Sequence, residues 1–218
     1  PILPTERSRH MEYIIENEYL KVSVETFGAE LQSIYSKDTQ TEYLWQGNPD
    51  YWTGRAYNLF PFIGRMYEGV FTYDNKTYPS RSHGLARYYE FILEKQTENS
   101  LTFLFSDNEE TKKEYPFSFT FRVCFLLNGN SLTTKYIATN NDTREMLCAF
   151  GGHPGINVPF GKGSFEEYYL DFGTEVEVEK IVFFLRADFP HDTYWKEADL
   201  EFSDGSKIHI DLVGTKEG

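Results

Sequence analysis

The chain has 218 residues, enough to bury a full core in one domain, and 17% of them are aromatic, which favours β-sheet over helix. The formal net charge of −13 argues against nucleic acid and anionic membrane surfaces as partners, because both attract basic proteins. No apolar run approaches the roughly 20 residues that cross a bilayer, and no signal peptide opens the chain, so we expect a cytoplasmic protein.

The first ten residues differ in composition from the rest of the chain. Residues 1–10 are rich in Pro, Arg and Ser and show no hydrophobic period, and His10-Met11 is typical of a junction left by an expression vector. We therefore expect residues 1–10 to be a tag remnant. The rest of the chain, residues 11–218, is expected to form a single domain.

Short strand patterns follow one another from residue 12 onward. Leu20–Val24 shows the period-two alternation of a half-buried strand. The other predicted strands are residues 13–15, 28–35, 70–73, 77–78, 89–95, 100–106, 117–128, 131–140, 165–172, 175–184, 199–202 and 207–212. Glu109–Tyr115, which ends before a proline, predicts one short helix. Strands at this spacing indicate an all-β fold, an antiparallel sandwich or barrel.

The two cysteines offer little chemistry. Cys124 and Cys148 lie among apolar residues, so we expect both to be small buried hydrophobic side chains. Two cysteines do not form a disulfide scaffold, and their spacing is not that of a zinc site.

Two of the five histidines lie in segments that contain glycine and resemble loops. His83 lies in Ser82–Arg87, and His153 lies in Gly151–Pro159. Histidine changes its charge near neutral pH and is a frequent general acid or base. A histidine that only satisfies a buried hydrogen bond is the alternative for each. Two histidines in this setting favour a site that handles protons on a polar ligand.

A third segment, Leu44–Arg65, also interrupts the strand pattern and is rich in Gly, Pro and aromatic residues. Arg65 could present its planar fork of donors to vicinal hydroxyls or to a carboxylate, or it could form a surface ion pair. Trp45 and Trp52 could stack on the face of a sugar, although large aromatic side chains more often lie in a core.

Four motifs occur in a set order and spacing. They are Leu44-Trp45-Gln46, Phe60–Arg65, His83–Arg87 and Gly152–Asn157. Together they resemble the aldose 1-epimerase (galactose mutarotase-like) family, and most of all its bacterial LacX-like branch. The resemblance extends from about Met11 to Phe183. It implies a large antiparallel β-sandwich with a sugar-binding groove, and an isomerase that interconverts the α and β anomers of a free aldose without a metal or organic cofactor.

The resemblance also implies roles for individual residues. His153 matches the family's general acid, which protonates the ring oxygen, and His83 matches a histidine that hydrogen-bonds the sugar nearby. General acid–base assistance of this kind contributes roughly 10²–10⁴-fold to a rate. Arg65 matches a substrate-binding arginine, and Arg87 is typical of the LacX-like branch. Gly64 stands where galactose-specific members carry Asn, so the resemblance does not determine which sugar is bound.

Two further residues are assigned to substrate binding. Trp45 belongs to the first motif, and Asp188 lies in Phe184–Phe189, which resembles a family segment with an acidic residue that contacts the substrate. An ordinary loop aspartate is the alternative for Asp188. The expected partner is therefore a small carbohydrate, and the sequence leaves monomer and dimer both open.

The catalytic base of the family is missing from the sequence. Family members carry a catalytic Glu in a Glu-Pro-Trp-like segment near the C terminus, and this chain has no Glu-Pro pair. Either the C-terminal part is short, or residues are missing within the chain, or the protein is a natural variant without the base. Two alternatives to an aldose epimerase follow: a catalytically silent carbohydrate-binding protein on the same fold, and a hexose-phosphate mutarotase. The latter needs a basic pocket, against which the net charge of −13 argues.

Overall fold

The computed structural model describes residues 10–158, 197–202 and 204–211. The chain divides into two compact units, residues 1–167 and 168–218, and each is described by itself. The predicted strands 165–172 and 175–184 lie outside the described residues. The tag remnant at residues 1–10 and the single domain over residues 11–218 stay predictions.

The first unit contains two four-stranded antiparallel sheets. In the first sheet the strands follow chain order: β1 (Glu12–Glu16), β2 (Leu20–Glu25), β3 (Leu31–Ser36) and β4 (Thr41–Glu42). In the second sheet the order is β11 (Ser131–Asn140), β10 (Phe119–Asn128), β9 (Ser100–Ser106) and β8 (Ile92–Gln96). Each strand pairs with its neighbour in sequence, so hairpins build both sheets.

Smaller elements join these sheets. They are the pair β5 (Ala56–Leu59) with β12 (Gly151–Pro154), the hairpin β6 (Val70–Tyr73) with β7 (Lys76–Pro79), the 3₁₀ turns Tyr67–Gly69 and Ala86–Tyr88, and the helix α1 (Thr111–Glu114). The second unit contains one described hairpin, β13 (Glu197–Glu201) with β14 (Lys207–Asp211). The all-β, antiparallel prediction is confirmed.

Alternation along the central strand β10 forms much of the core. Phe121, Val123 and Phe125 are buried, whereas the residues between them are partly exposed. These side chains belong to one apolar cluster that also contains Val22 and Val24 from the first sheet. Each fully buried side chain of this size contributes roughly 1.5–3 kcal/mol. The period-two pattern in the sequence therefore explains which face of each sheet is buried.

Two predicted boundaries differ from the structure because of local backbone geometry. The strand expected from residue 28 begins at Leu31, since Gly28 and Ala29 adopt left-handed φ values of 68° and 47° and form a turn. The helix expected over Glu109–Tyr115 is a single turn, Thr111–Glu114. A segment this short has no stable helical form without support from the rest of the fold.

The segment around His153 and both cysteines also differ from expectation. Gly151–Pro154 is not a loop but the strand β12, because pairing with β5 satisfies its backbone groups despite the weak strand propensity of two glycines. Cys124 and Cys148 are free thiols that are half-buried rather than buried.

A buried asparagine fixes β5 to the rest of the first unit. The Nδ2 of Asn58 donates to the carbonyl oxygens of Gly28 and Ala29 at 2.9 and 2.7 Å, and its Oδ1 accepts from the Tyr136 hydroxyl at 3.0 Å. Burial raises the pKa of Tyr136 to about 12, so its hydroxyl stays a donor at neutral pH. Every polar atom of the Asn58 amide thus faces a matching partner.

No helix in the described ranges is both long and apolar enough to span a membrane. The cytoplasmic location stays a prediction.

Replacing Asn58 with Asp should destabilise the fold strongly. The carboxylate oxygen in place of Nδ2 would face the two carbonyl oxygens with no hydrogen to donate, which should cost about 3 kcal/mol, whereas Tyr136→Phe loses one hydrogen bond and should cost about 1 kcal/mol. Asn130→Asp, at an exposed turn position, is the matched control and should change the free energy of unfolding by less than about 0.5 kcal/mol. Urea unfolding measures all three. Equal stability of N58D and N130D would contradict the role of Asn58.

Candidate functional site

The pairing of β5 with β12 brings the two histidines together. His153 lies on β12 directly opposite Tyr57 on β5. Its ring lies 5.4 Å from the ring of His83, measured between centroids. The two histidine motifs, which are far apart in the sequence, therefore share one site.

The turn that carries His83 is fixed by close contact with Phe60. The backbone N–H groups of Leu85 and Ala86 both donate to the Phe60 carbonyl oxygen, at 2.6 and 3.1 Å. Gly84 has φ 76°, and a Cβ there would lie 2.4 Å from that oxygen. Only glycine fits such an approach, which explains the His83-Gly84 pair in the motif. His83 itself has φ 66°, a strained value that persists because its surroundings hold it.

Gly64 determines which nitrogen of His83 carries the proton. The backbone N–H of Gly64 donates to Nδ1 of His83 at 3.1 Å, and the backbone N–H of His83 donates to the Gly64 carbonyl at 2.7 Å. Since a backbone N–H only donates, Nδ1 accepts, and the proton of the neutral ring lies on Nε2. In its neutral form, His83 therefore presents Nε2–H as its donor.

His153 is positioned by its backbone and by ring contacts. The strand continues into a segment in which Gly155 donates to the Arg55 carbonyl at 2.7 Å and accepts from the Trp45 backbone N–H at 2.8 Å. The Asn157 amide donates to the carbonyl oxygens of residues 42 and 44 at 3.0 and 2.9 Å. His153 is exposed, and its ring makes no hydrogen bond within the described part of the chain. Both ring nitrogens therefore face no protein partner there.

Aromatic rings surround His153. Trp52 lies 5.3 Å and Tyr57 lies 6.5 Å from its ring centroid. Trp52 and Tyr57 contact each other edge to face at 5.3 Å. The guanidinium carbon of Arg87 lies 3.5 Å from the centre of the Tyr57 ring. Flat apolar faces beside two imidazoles suit a ligand with both C–H and hydroxyl groups.

The other predicted site residues lie around this group in different ways. Arg65 follows Gly64 directly and is exposed, with no hydrogen bond or ion pair to the residues that the structure describes. Trp45 is half-buried, and its Nε1 donates to the Trp52 carbonyl at 2.7 Å. A Cβ on Gly155 would lie 2.9 Å from Trp45 Cβ, so Trp45 supports the His153 segment. Asp188 lies outside the described residues.

Tyr57 is the site residue that sequence reasoning missed. It lies in a segment interpreted as irregular, and no motif includes it. Only the pairing with β12 places its ring on the face that carries His153, because directly opposite residues of an antiparallel pair share a face. The sequence has no local signal for that pairing.

The described ranges contain no group of three or more His, Cys, Asp or Glu side chains that could hold a metal ion. The absence of a cofactor stays a prediction.

Comparison with known proteins decides the family. A sequence profile of aldose 1-epimerase matches residues 11–213. The chain belongs to the aldose 1-epimerase family. The predicted similarity to LacX is also confirmed: the plasmid-encoded protein LacX of Lactococcus lactis subsp. lactis is 41% identical over 170 residues, which are 75% of this chain and 56% of that protein.

Solved structures agree with this result. The galactose mutarotase related enzyme from Lactobacillus acidophilus is 44% identical and superimposes with a TM-score of 0.69 over 72% of this chain and 52% of its own. A galactose mutarotase-like protein from Lactobacillus casei is 37% identical, with a TM-score of 0.66 over 68% of this chain and 50% of its own. The predicted galactose mutarotase-like sandwich is thereby confirmed. The chain spans about half the length of these relatives.

The Gly64 contact leads to a prediction about His83. Two-dimensional ¹H–¹⁵N spectra of the histidine rings above pH 8 should show His83 protonated on Nε2, because Nδ1 accepts the Gly64 N–H. The signal is assigned from its loss in His83→Gln. A ring protonated on Nδ1 would be incompatible with the contact.

Proposed function

We propose that the protein is an aldose 1-epimerase that interconverts the α and β anomers of a free aldose. The observation that supports this most is the approach of the His83 and His153 rings to 5.4 Å, in a chain of this family. The His153 ring lies beside the rings of Trp52 and Tyr57, which we call the aromatic wall. Two imidazoles at that separation reach neighbouring oxygens of one sugar ring.

The reaction needs two proton movements and one bond cleavage. A base takes the proton of the anomeric hydroxyl, the bond between C1 and the ring oxygen breaks, and an acid protonates that oxygen. Rotation about the C1–C2 bond and closure in reverse give the other anomer. His153 is the proposed acid, and its exposed ring without a protein hydrogen bond in the described chain supports the role. An imidazole titrates in the range where it can both give and take this proton.

The remaining residues are proposed to bind and orient the sugar. His83 is proposed to hydrogen-bond an oxygen near the ring oxygen through its Nε2–H. Arg65 and Arg87 present guanidinium donors to hydroxyl groups, and Trp45 extends the aromatic wall through its contact with Trp52. Asp188 is proposed as a further substrate contact on the basis of the family resemblance.

Two other functions are alternatives to this proposal. A catalytically silent carbohydrate-binding protein on the same fold would use the histidines and the aromatic wall to bind a sugar without converting it. The hexose-phosphate alternative differs in requiring a phosphate on the sugar.

The assay is polarimetry of freshly dissolved α-glucose and α-galactose. The protein should speed relaxation over buffer, and His153→Ala should lower kcat roughly 10²–10⁴-fold by removing the acid. His83→Ala should act mainly through a higher KM. His10→Ala, an exposed histidine outside the site, is the matched control and should keep the wild-type rate.

Each alternative gives a distinct result. If calorimetry shows that a free aldose binds but polarimetry shows no faster relaxation of its anomers, the proposed epimerase activity is overturned and the silent binding protein is supported. Acceleration confined to α-glucose 6-phosphate would mean that the substrate is a sugar phosphate and not a free aldose. Wild-type activity of H153A would remove His153 from its proposed role.

A further inference from the structure

Tyr57 occupies the centre of the described site. Its ring touches the Arg87 guanidinium at 3.5 Å and the Trp52 ring at 5.3 Å, and it lies 6.5 Å from the His153 ring. Its hydroxyl makes no hydrogen bond within the described structure. The contacts that Tyr57 makes are therefore contacts of its ring.

Arg87 depends on these ring contacts. It is half-buried, and among the described residues its buried Nε has no hydrogen-bond partner and its guanidinium forms no ion pair. The faces of Tyr57 and Tyr88, at 3.5 and 4.9 Å, are the groups that stabilise its charge. A cation over an aromatic face is attracted by the ring quadrupole, more strongly when water is excluded.

Gly54 makes the position of Tyr57 possible. A Cβ at Gly54 would lie 2.2 Å from Tyr57 Cζ and 2.7 Å from Trp52 Cζ2. Any side chain there would push both rings away from where they stand. The local sequence thus allows the two rings to meet next to His153.

We propose that Tyr57 is a positioning residue of the site. Its ring face holds the guanidinium of Arg87, beside the Trp52 and His153 rings. The ring performs this role and the hydroxyl does not. The inference rests on the proposed function, since it assigns Tyr57 to the sugar site of that reaction.

Two substitutions separate the ring from the hydroxyl. Tyr57→Phe keeps the aromatic face and should leave kcat and KM within about twofold of wild type. Tyr57→Leu removes the face and should raise KM roughly 10-fold while kcat changes less than about threefold, because Arg87 binds substrate and transition state alike. Tyr67→Leu, an exposed tyrosine at 85% accessibility, is the matched control and should behave as wild type.

The dependence on Arg87 is tested by a double-mutant cycle. If Tyr57 acts by holding Arg87, Tyr57→Leu should raise KM little further in an Arg87→Ala background. Independent, multiplicative effects of the two substitutions would overturn the proposal, and so would a Y57F variant as impaired as Y57L. Should Y57L not fold, Tyr57→Met fills similar volume without an aromatic face and carries the same expectation.

A spectroscopic measurement tests the positioning role of Tyr57 independently of the proposed catalytic activity. The Arg87 Nε–H signal, assigned by its loss in Arg87→Lys, should be shifted upfield by the ring current in wild type and Y57F. It should move downfield in Y57L. An unchanged signal in Y57L overturns the positioning role even in an active enzyme. Failure of wild type to accelerate any aldose, with the signal moving as expected, overturns the proposed function alone.

Discussion

The pairing of β5 with β12 is the contact on which the described site depends. It sets His153 opposite Tyr57 and brings the ring of His153 to that of His83. The pair is short, with four residues in each strand, so its position relies on neighbours. Asn58 fixes β5 from the buried face, and the Trp45 backbone fixes the chain that follows β12.

Alternate side chains of β5 have different roles: one holds the strand in place, and its neighbour faces the site. Asn58 is buried, and its amide hydrogen-bonds two carbonyl oxygens and the Tyr136 hydroxyl. Tyr57, on the opposite face of the strand, contacts His153 and Arg87. Side chains of neighbouring residues in a strand point to opposite faces. One short strand thus supplies both the hydrogen bonds that hold the site and a ring that shapes it.

The sequence predicts the large sheets well and the site geometry only in part. The predicted bounds of Ser100–Ser106 and Ser131–Asn140 match the observed ones. Alternate residues of the first strand are buried, and those at the start of the second are partly buried, which gives each a period-two pattern. The histidine motifs point to the site through their resemblance to a family. The strand β12 and the role of Tyr57 were missed because pairing between distant segments is a property of the folded chain, and two glycines carry no strand signal.

The central claim is that His83 and His153 contact the same sugar. Titration of the protein with galactose and with glucose, followed by ¹H–¹³C spectra of the histidine rings, tests it most directly. We predict that the ring signals of both residues shift with a single dissociation constant for a given sugar, while those of His10 stay unchanged. Shifts of only one ring, or separate dissociation constants for the two, would contradict a shared site.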